Sequence, residues 1–321
     1  MDVSKLNYRS DLDGLRAMAV LIVIFNHFKI CLSGGFVGVD VFFVISGFVI
    51  TLGMYPNIIN NQFKFGHFWI RRIKRLMPAL FLVLFSSTLV FSFLLTPLDL
   101  KLALENVIAI NFSVSNFYLW TKYGGYFSDN AQEAPFLHTW SLAVEEQYYI
   151  VWPFILIFIL KTFKKNQLSI VLLLAFLFSL YISQKGVEKS IAGAYFLMPT
   201  RFFELLSGSW IAILFNQHKL LINHKLQHIL SIAGLLFIIG SAYYLNAEHE
   251  FPGYNALLPV LGASLIIMSP SGITSKLLSL KSIVFIGNIS YSLYLWHWPI
   301  LVGLVYTQND TVLNKVIALL I

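Results

Sequence analysis

The sequence has 321 residues, of which 58% are hydrophobic and only 12% charged, against roughly 25% charged in a water-soluble domain. A mean hydropathy of +0.75, with apolar runs recurring along the whole length, excludes a soluble globular fold and puts most of the surface in lipid. The formal net charge is +7, but the basic residues fall in short loops between apolar runs, the pattern of a membrane protein's cytoplasmic side and not of a nucleic-acid interface.

The segment up to residue 15 carries Asp2, Asp11 and Asp13, and no small-residue cleavage site follows the first apolar run. That run is therefore expected to be retained and not removed as a signal peptide. Apolar helices are predicted over about 15–32 and 36–55, separated by Ser33-Gly34-Gly35. A basic loop with Lys64, Arg71, Arg72, Lys74 and Arg75 precedes a third run over 77–95, which closes at Thr96-Pro97. The stretch 100–120 has helical period but carries Lys101, Glu105, Asn106 and Asn111, so it is expected to lie at the membrane interface; a loop over 122–135 follows. Further runs cover 142–160, 168–183, 202–215, 229–245, 256–268 and 283–306, and a tenth begins near 312 and stops at Ile321 inside apolar sequence, which reads as a fragment of a longer chain.

The expected architecture is all-α: one polytopic membrane domain over 1–321 with about ten transmembrane helices, the last of them cut short, and no soluble domain or repeat. With a cytoplasmic N-terminus, fifteen of the 22 Lys and Arg residues lie on the cytoplasmic side, as the positive-inside rule requires. Trp69, Trp120, Trp140, Trp152, Trp296 and Trp298 sit near run ends, where interfacial anchoring explains most of them. Cys31 is the only cysteine, so no intrachain disulfide can form; its place in an apolar run reads as a small buried hydrophobe.

An ionised side chain at the bilayer centre costs at least roughly 2.5 kcal/mol, so intramembrane charges are candidates for function. Arg16 and His27 lie on the first run, eleven residues apart. At about 1.5 Å per residue they are roughly 16 Å apart along the axis, and three turns bring them to nearly the same face. An anion held by Arg16 at the cytoplasmic mouth can thus extend toward the imidazole; the structural alternative is an interfacial anchor and a packed histidine. Arg71, Arg72 and Arg75 are surface neighbours at the expected start of the third helix, where guanidinium forks and free amides suit phosphate, although a positive-inside anchor explains them too.

Asp40, following Gly34-Gly35-Phe36-Val37-Gly38-Val39, would orient an imidazole if it lay beside one, or else simply occupy a helix start. Glu145 and Glu146 are about 100° apart on a helix, so one can face a cavity and the other a neighbouring helix. Ser141 before Glu145 resembles a helix cap. Glu204 beside Arg201 reads as a structural ion pair. His297, in Trp296-His297-Trp298-Pro299, either satisfies a carbonyl freed by the proline or lines a cavity.

Five blocks carry a resemblance: Leu12-Asp13-Gly14-Leu15-Arg16 continuing to His27; Gly35 to Phe48 (GFVGVDVFFVISGF); Arg72-Ile73-Lys74-Arg75; Leu137 to Tyr149 (LHTWSLAVEEQYY); and Ile289 to Pro299 (ISYSLYLWHWP). In order, over essentially the whole chain, they resemble the acyltransferase-3 family, typified by bacterial O-antigen acetylases. The resemblance implies roughly ten membrane helices in the bacterial inner membrane and an acyl-CoA donor, usually acetyl-CoA, bound from the cytoplasm. It implies O-acyl transfer to a carbohydrate or lipid-linked glycan such as O-antigen or lipopolysaccharide, with no metal. It assigns Arg16 and His27 to catalysis and the pair Arg72 and Arg75 to the donor; Asp40 or Glu145 is expected to orient the imidazole. Many relatives with the Trp-His-Trp-Pro form carry a C-terminal SGNH-type hydrolase domain, absent from this sequence. A secondary transporter of a small polar or anionic solute is the alternative reading, but it predicts matched inverted halves, whereas the ionisable residues crowd the first 150 positions.

Overall fold

The computed structural model describes residues 8–164, 166–217, 222–311 and 314; the tenth apolar run, but for residue 314, lies outside them beyond residue 311. Among the described residues there are fourteen α-helices, three short 3-10 turns and no strand. The α-helices are α1 (Ser10–His27), α2 (Gly38–Ile59), α3 (Phe65–Leu94), α4 (Pro97–Asn111), α5 (Ser115–Tyr123), α6 (Asp129–Gln132), α7 (Trp140–Thr162), α8 (Leu168–Lys189), α9 (Ile191–Phe196), α10 (Met198–Asn216), α11 (His224–Tyr244), α12 (Leu257–Ile267), α13 (Ile273–Leu278) and α14 (Lys281–Tyr306).

Among the described residues, five helical spans are long and apolar enough to cross a membrane: Gly35–Ile59, Phe65–Leu94, Leu137–Thr162, Leu168–Lys189 and His224–Tyr244. The first is an inner helix, 78% buried over its most apolar window, whereas the second and fourth are only 28% buried. Their outward faces carry Leu82, Phe85, Phe93, Ile170 and Phe178 in the open. Apolar surface on that scale is stable only against lipid, and the chain is a multi-pass membrane protein.

Helix contact is closest where side chains are missing. A Cβ on Gly47 of α2 would lie 1.8 Å from the Leu205 carbonyl oxygen, and one on Gly208 of α10 would lie 1.9 Å from that of Val44. Two glycines thus let α2 and α10 cross backbone to backbone, the close approach on which packing in lipid relies. Polar side chains join the same helices to α7: Thr51 donates to Ser209 at 2.8 Å, Trp152 donates to Thr51 at 2.7 Å, and Tyr148 bonds Ser209. α1 and α14 run side by side in the same direction, Asp13 against Gly287 at one end and His27 against His297 at the other.

Three expectations change. α3 begins at Phe65, about twelve residues earlier than its apolar run, so Arg71, Arg72 and Arg75 lie two to three turns inside the helix and not on its free amides. Trp69, which donates to the Tyr149 carbonyl at 3.2 Å, docks this amphipathic first half on α7. The stretch 100–120 is two helices and not one continuous helix. α4 and α5 form a hairpin around Ser113, at φ 58°, whose tip reaches α7: Ser113 donates to Glu146 at 2.7 Å, and Gln147 donates to the Ser113 carbonyl at 2.8 Å. Cys31 is exposed in the turn after α1, not buried.

Candidate active site

An open cavity of about 800 Å³ lies between α1, α2, α3, α7 and α14. Arg16, Arg72, Arg75 and Glu145 supply its charged lining, with Ser46, Ser141, Tyr149, Tyr291 and Tyr294 among its polar groups. Arg16 is steadied by Asp13 at 2.6 Å, whose second oxygen accepts from Tyr8 at 2.6 Å. Arg72 leans over the Phe68 ring and its Nε is buried without a partner among the described residues. Three guanidinium groups against Glu145 and the Asp13 paired with Arg16 leave the cavity positive, and guanidinium forks bind phosphate bidentately. Arg71 is exposed and does not line it.

The adjacent glutamates part as their helical angle requires. Glu145 faces the cavity, accepting from Ser46 at 2.5 Å and from Tyr149. Glu146 faces the α4–α5 hairpin through Ser113. Ser141 does not cap α7: its hydroxyl donates to the His138 carbonyl at 3.1 Å and pairs with the Tyr294 hydroxyl at 2.7 Å.

Behind the wall formed by Ser141 and Tyr294 lies a second polar cluster. His27 Nε2 is 2.8 Å from the Tyr126 hydroxyl, and His27 Nδ1 is 2.9 Å from His297 Nε2. His297 Nδ1 is 2.6 Å from the Tyr294 carbonyl oxygen. The Trp298 ring stands edge-on to His27 at 4.7 Å and is itself anchored by an N–H bond of 2.8 Å to the Ala134 carbonyl. Tyr126 stacks on Tyr195 at 4.4 Å. His138 is buried 5.5 Å, ring to ring, from both His297 and Tyr294. Its two nitrogens have no partner among the described residues. No group of three or more His, Cys, Asp or Glu among the described residues is arranged to hold a metal ion.

Both nitrogens of His27 are therefore occupied, and neither Asp40 nor Glu145 bonds it directly. Asp40 is instead fully buried against Arg201, which also holds Glu204, so the expected Arg201–Glu204 pair is present but has a third member. His297 is not the partner of a carbonyl freed by Pro299: it bonds the carbonyl three residues before it. Sequence reasoning did not single out Tyr126, which fell in the expected loop over 122–135, or Tyr294, which lay inside the resembling block 289–299.

The sequence matches the acyltransferase domain of the acyltransferase-3 family over residues 9–321. It is 36% identical over 312 residues to the peptidoglycan O-acetyltransferase OatA of Listeria monocytogenes, covering 92% of this chain and 49% of that protein. Identity is also 36% over 314 residues to the putative peptidoglycan O-acetyltransferase YrhL of Bacillus subtilis (92% and 49%), and 36% over 308 residues to the O-acetyltransferase OatA of Staphylococcus aureus (92% and 51%). The chain spans about half the length of these relatives. No solved structure matches it. By a match that runs from Arg9 to the last residue, this chain belongs to the acyltransferase-3 family.

Proposed function

We propose that this chain is a membrane O-acyltransferase that takes an acyl group, most simply acetyl, from acyl-coenzyme A on the cytoplasmic side and passes it to a hydroxyl of an envelope glycan outside. The observation that carries this reading is a shared wall. Tyr294 lines the arginine cavity, while its carbonyl holds the histidine that touches His27. A phosphate-bearing donor anchored at Arg16, Arg72 and Arg75 would then lie with its thioester end toward the imidazole. The names of the relatives move the acceptor from O-antigen or lipopolysaccharide toward peptidoglycan.

In this reading about ten helices span the inner membrane with the N-terminus cytoplasmic, α1 and α14 among them. His27 Nε2 takes the proton of an attacking hydroxyl as the oxygen bonds the acyl carbon; the C–S bond breaks, and the thiolate leaves with the proton returned from His27. Tyr126 marks where that hydroxyl would stand, 2.8 Å from Nε2. Alternatively His27 accepts the acyl group itself and hands it outward. Asp40 holds Arg201 in this scheme, and Glu145 shapes the donor cavity.

The test is thioester consumption by the purified protein in nanodiscs, supplied with acetyl-CoA and a soluble muropeptide. Turnover that disappears in His27→Ala supports the proposal; full acetyl transfer by that variant, or no binding and no turnover of any coenzyme A thioester by the wild type, ends it. Rapid quench separates the two routes, since only the relay leaves acyl-histidine.

A further inference from the structure

We infer that His297 is a positioning residue that fixes which nitrogen of His27 carries the proton. The argument starts at a group whose role is not adjustable. The Tyr294 carbonyl oxygen can only accept, and His297 Nδ1 lies 2.6 Å from it. His297 Nδ1 therefore carries a hydrogen, and in a neutral ring Nε2 is then a bare acceptor. His27 Nδ1 lies 2.9 Å from that acceptor, so His27 must donate there. The lone pair of His27 is left on Nε2, facing the Tyr126 hydroxyl at 2.8 Å, which donates to it. Every polar atom from Tyr126 to the Tyr294 backbone has one assigned direction. The reverse arrangement would set two N–H groups or two lone pairs against each other.

Packing holds the relay in register. His27 and His297 rings are nearly parallel, 9° apart, and Trp298 closes the edge of His27. The fixed end is backbone, so the direction does not depend on a side chain that can rotate. Its source is the helical register of α14, which places His297 within reach of the carbonyl three residues earlier. The consequence for chemistry rests on the reading of His27 as the base. Nε2 is the nitrogen that receives the hydroxyl proton. When it does, the Nδ1–H of the imidazolium keeps a neutral acceptor in His297. An imidazole in the other tautomer presents an N–H where a lone pair is needed, and transfer stops.

Histidine ¹⁵N spectra of the wild-type protein in nanodiscs, with His27 assigned by comparison with His27→Gln, report the tautomer whether or not thioester is present. The expected state is Nδ1-protonated with a bare Nε2. His297→Leu puts an apolar side chain of similar size in place of the ring and removes the acceptor. His27 should shift to the Nε2-protonated form, with acyl transfer falling by roughly 100-fold or more. His297→Gln places an amide oxygen where Nε2 stood; it should hold the wild-type tautomer and recover the rate to within about 10-fold. An Nε2-protonated His27 in the wild type overturns the inference, as does a leucine variant that keeps both tautomer and rate. Should the leucine variant fail to fold, the wild-type spectrum and the glutamine variant decide it. Because the tautomer is read without turnover, a correct tautomer in a protein that consumes no thioester would fault the proposed function and leave this inference standing.

Discussion

Arg201 Nη1 lies 3.0 Å from Asp40 Oδ1, although the two residues are 161 positions apart in sequence and neither side chain is exposed. The same nitrogen is 2.8 Å from Glu204, and Arg201 Nε donates to the Tyr195 carbonyl at 3.1 Å. The rings of Trp140, Tyr195 and Phe251 surround the guanidinium at 5.2, 4.9 and 5.0 Å. One cation thus ties α2, α10 and the segment that carries Tyr195, the ring on which Tyr126 stacks.

Removing Arg201 leaves two carboxylates in a dry interior, a loss of roughly 3–5 kcal/mol. Asp40→Asn removes one acid but keeps a polar oxygen opposite Arg201, so it should cost far less. Thermal unfolding in detergent should therefore rank Arg201→Met well below Asp40→Asn, with the latter near wild type. Equal losses in the two variants would show that the pair does not act as described.

The α2–α10 crossing gives a second contrast. A Cβ at Gly208 meets the Val44 carbonyl oxygen at 1.9 Å, whereas one at Gly303 of α14 meets nothing within 4 Å. Gly208→Ala must part the helices, and overpacking of this kind typically costs 1–3 kcal/mol, here at or above the upper end because the obstacle is backbone. Gly303→Ala fills open space on a helix and should be neutral or stabilising by up to about 1 kcal/mol. Denaturation of the two variants in the same detergent checks the pair, and a Gly208→Ala protein as stable as wild type would contradict the crossing.

What the sequence revealed and concealed divides along a physical line. Arg16 and His27 share α1, and Glu145 and Glu146 share α7, so helical period alone places each pair. It cannot say which helices meet. The His27–His297 contact spans 270 positions and the Asp40–Arg201 contact 161; both depend on helix crossings that hydropathy does not encode. The signal for His297 was present, since an imidazole inside an apolar run needs a polar partner, but the partner's identity is tertiary. Hydropathy also misplaced the start of α3, because an amphipathic first half with exposed arginines has no apolar run to detect. Tyr126 gave no periodic signal at all: it lies between α5 and α6, held by Gln132, which donates to its carbonyl at 2.7 Å.

Tyr294 has two separable parts. Its hydroxyl donates to the Ser141 hydroxyl at 2.7 Å, which in turn donates to the His138 carbonyl, while its own carbonyl holds His297. Tyr294→Phe removes only the hydroxyl, and Ser141 keeps the His138 carbonyl as an acceptor. The expected loss is one neutral hydrogen bond, about 0.5–1.5 kcal/mol of stability. The His27 tautomer should be unchanged and the rate within about 10-fold of wild type, measured beside His297→Leu. A loss as deep as that variant's would mean that the phenol itself reaches the reacting groups.

The three arginines of α3 test the donor cavity against each other. Arg72 and Arg75 line it; Arg71, on the same helix and of the same charge, is exposed outside it. If the positive charge served only to anchor the helix at the membrane surface, all three would matter alike. If phosphate binds in the cavity, Arg72→Gln and Arg75→Gln each lose a charge-assisted hydrogen bond of roughly 1.5–3 kcal/mol, which corresponds to an increase in thioester KM of about 10- to 100-fold. The loss should appear in KM with kcat largely kept, because phosphate is held equally in ground and transition states. Arg71→Gln should leave both constants within about 2-fold, the scale of an exposed charge. Steady-state kinetics with acetyl-CoA at fixed ionic strength separates the cases, and an Arg71→Gln effect equal to the other two would return the cluster to a surface anchor.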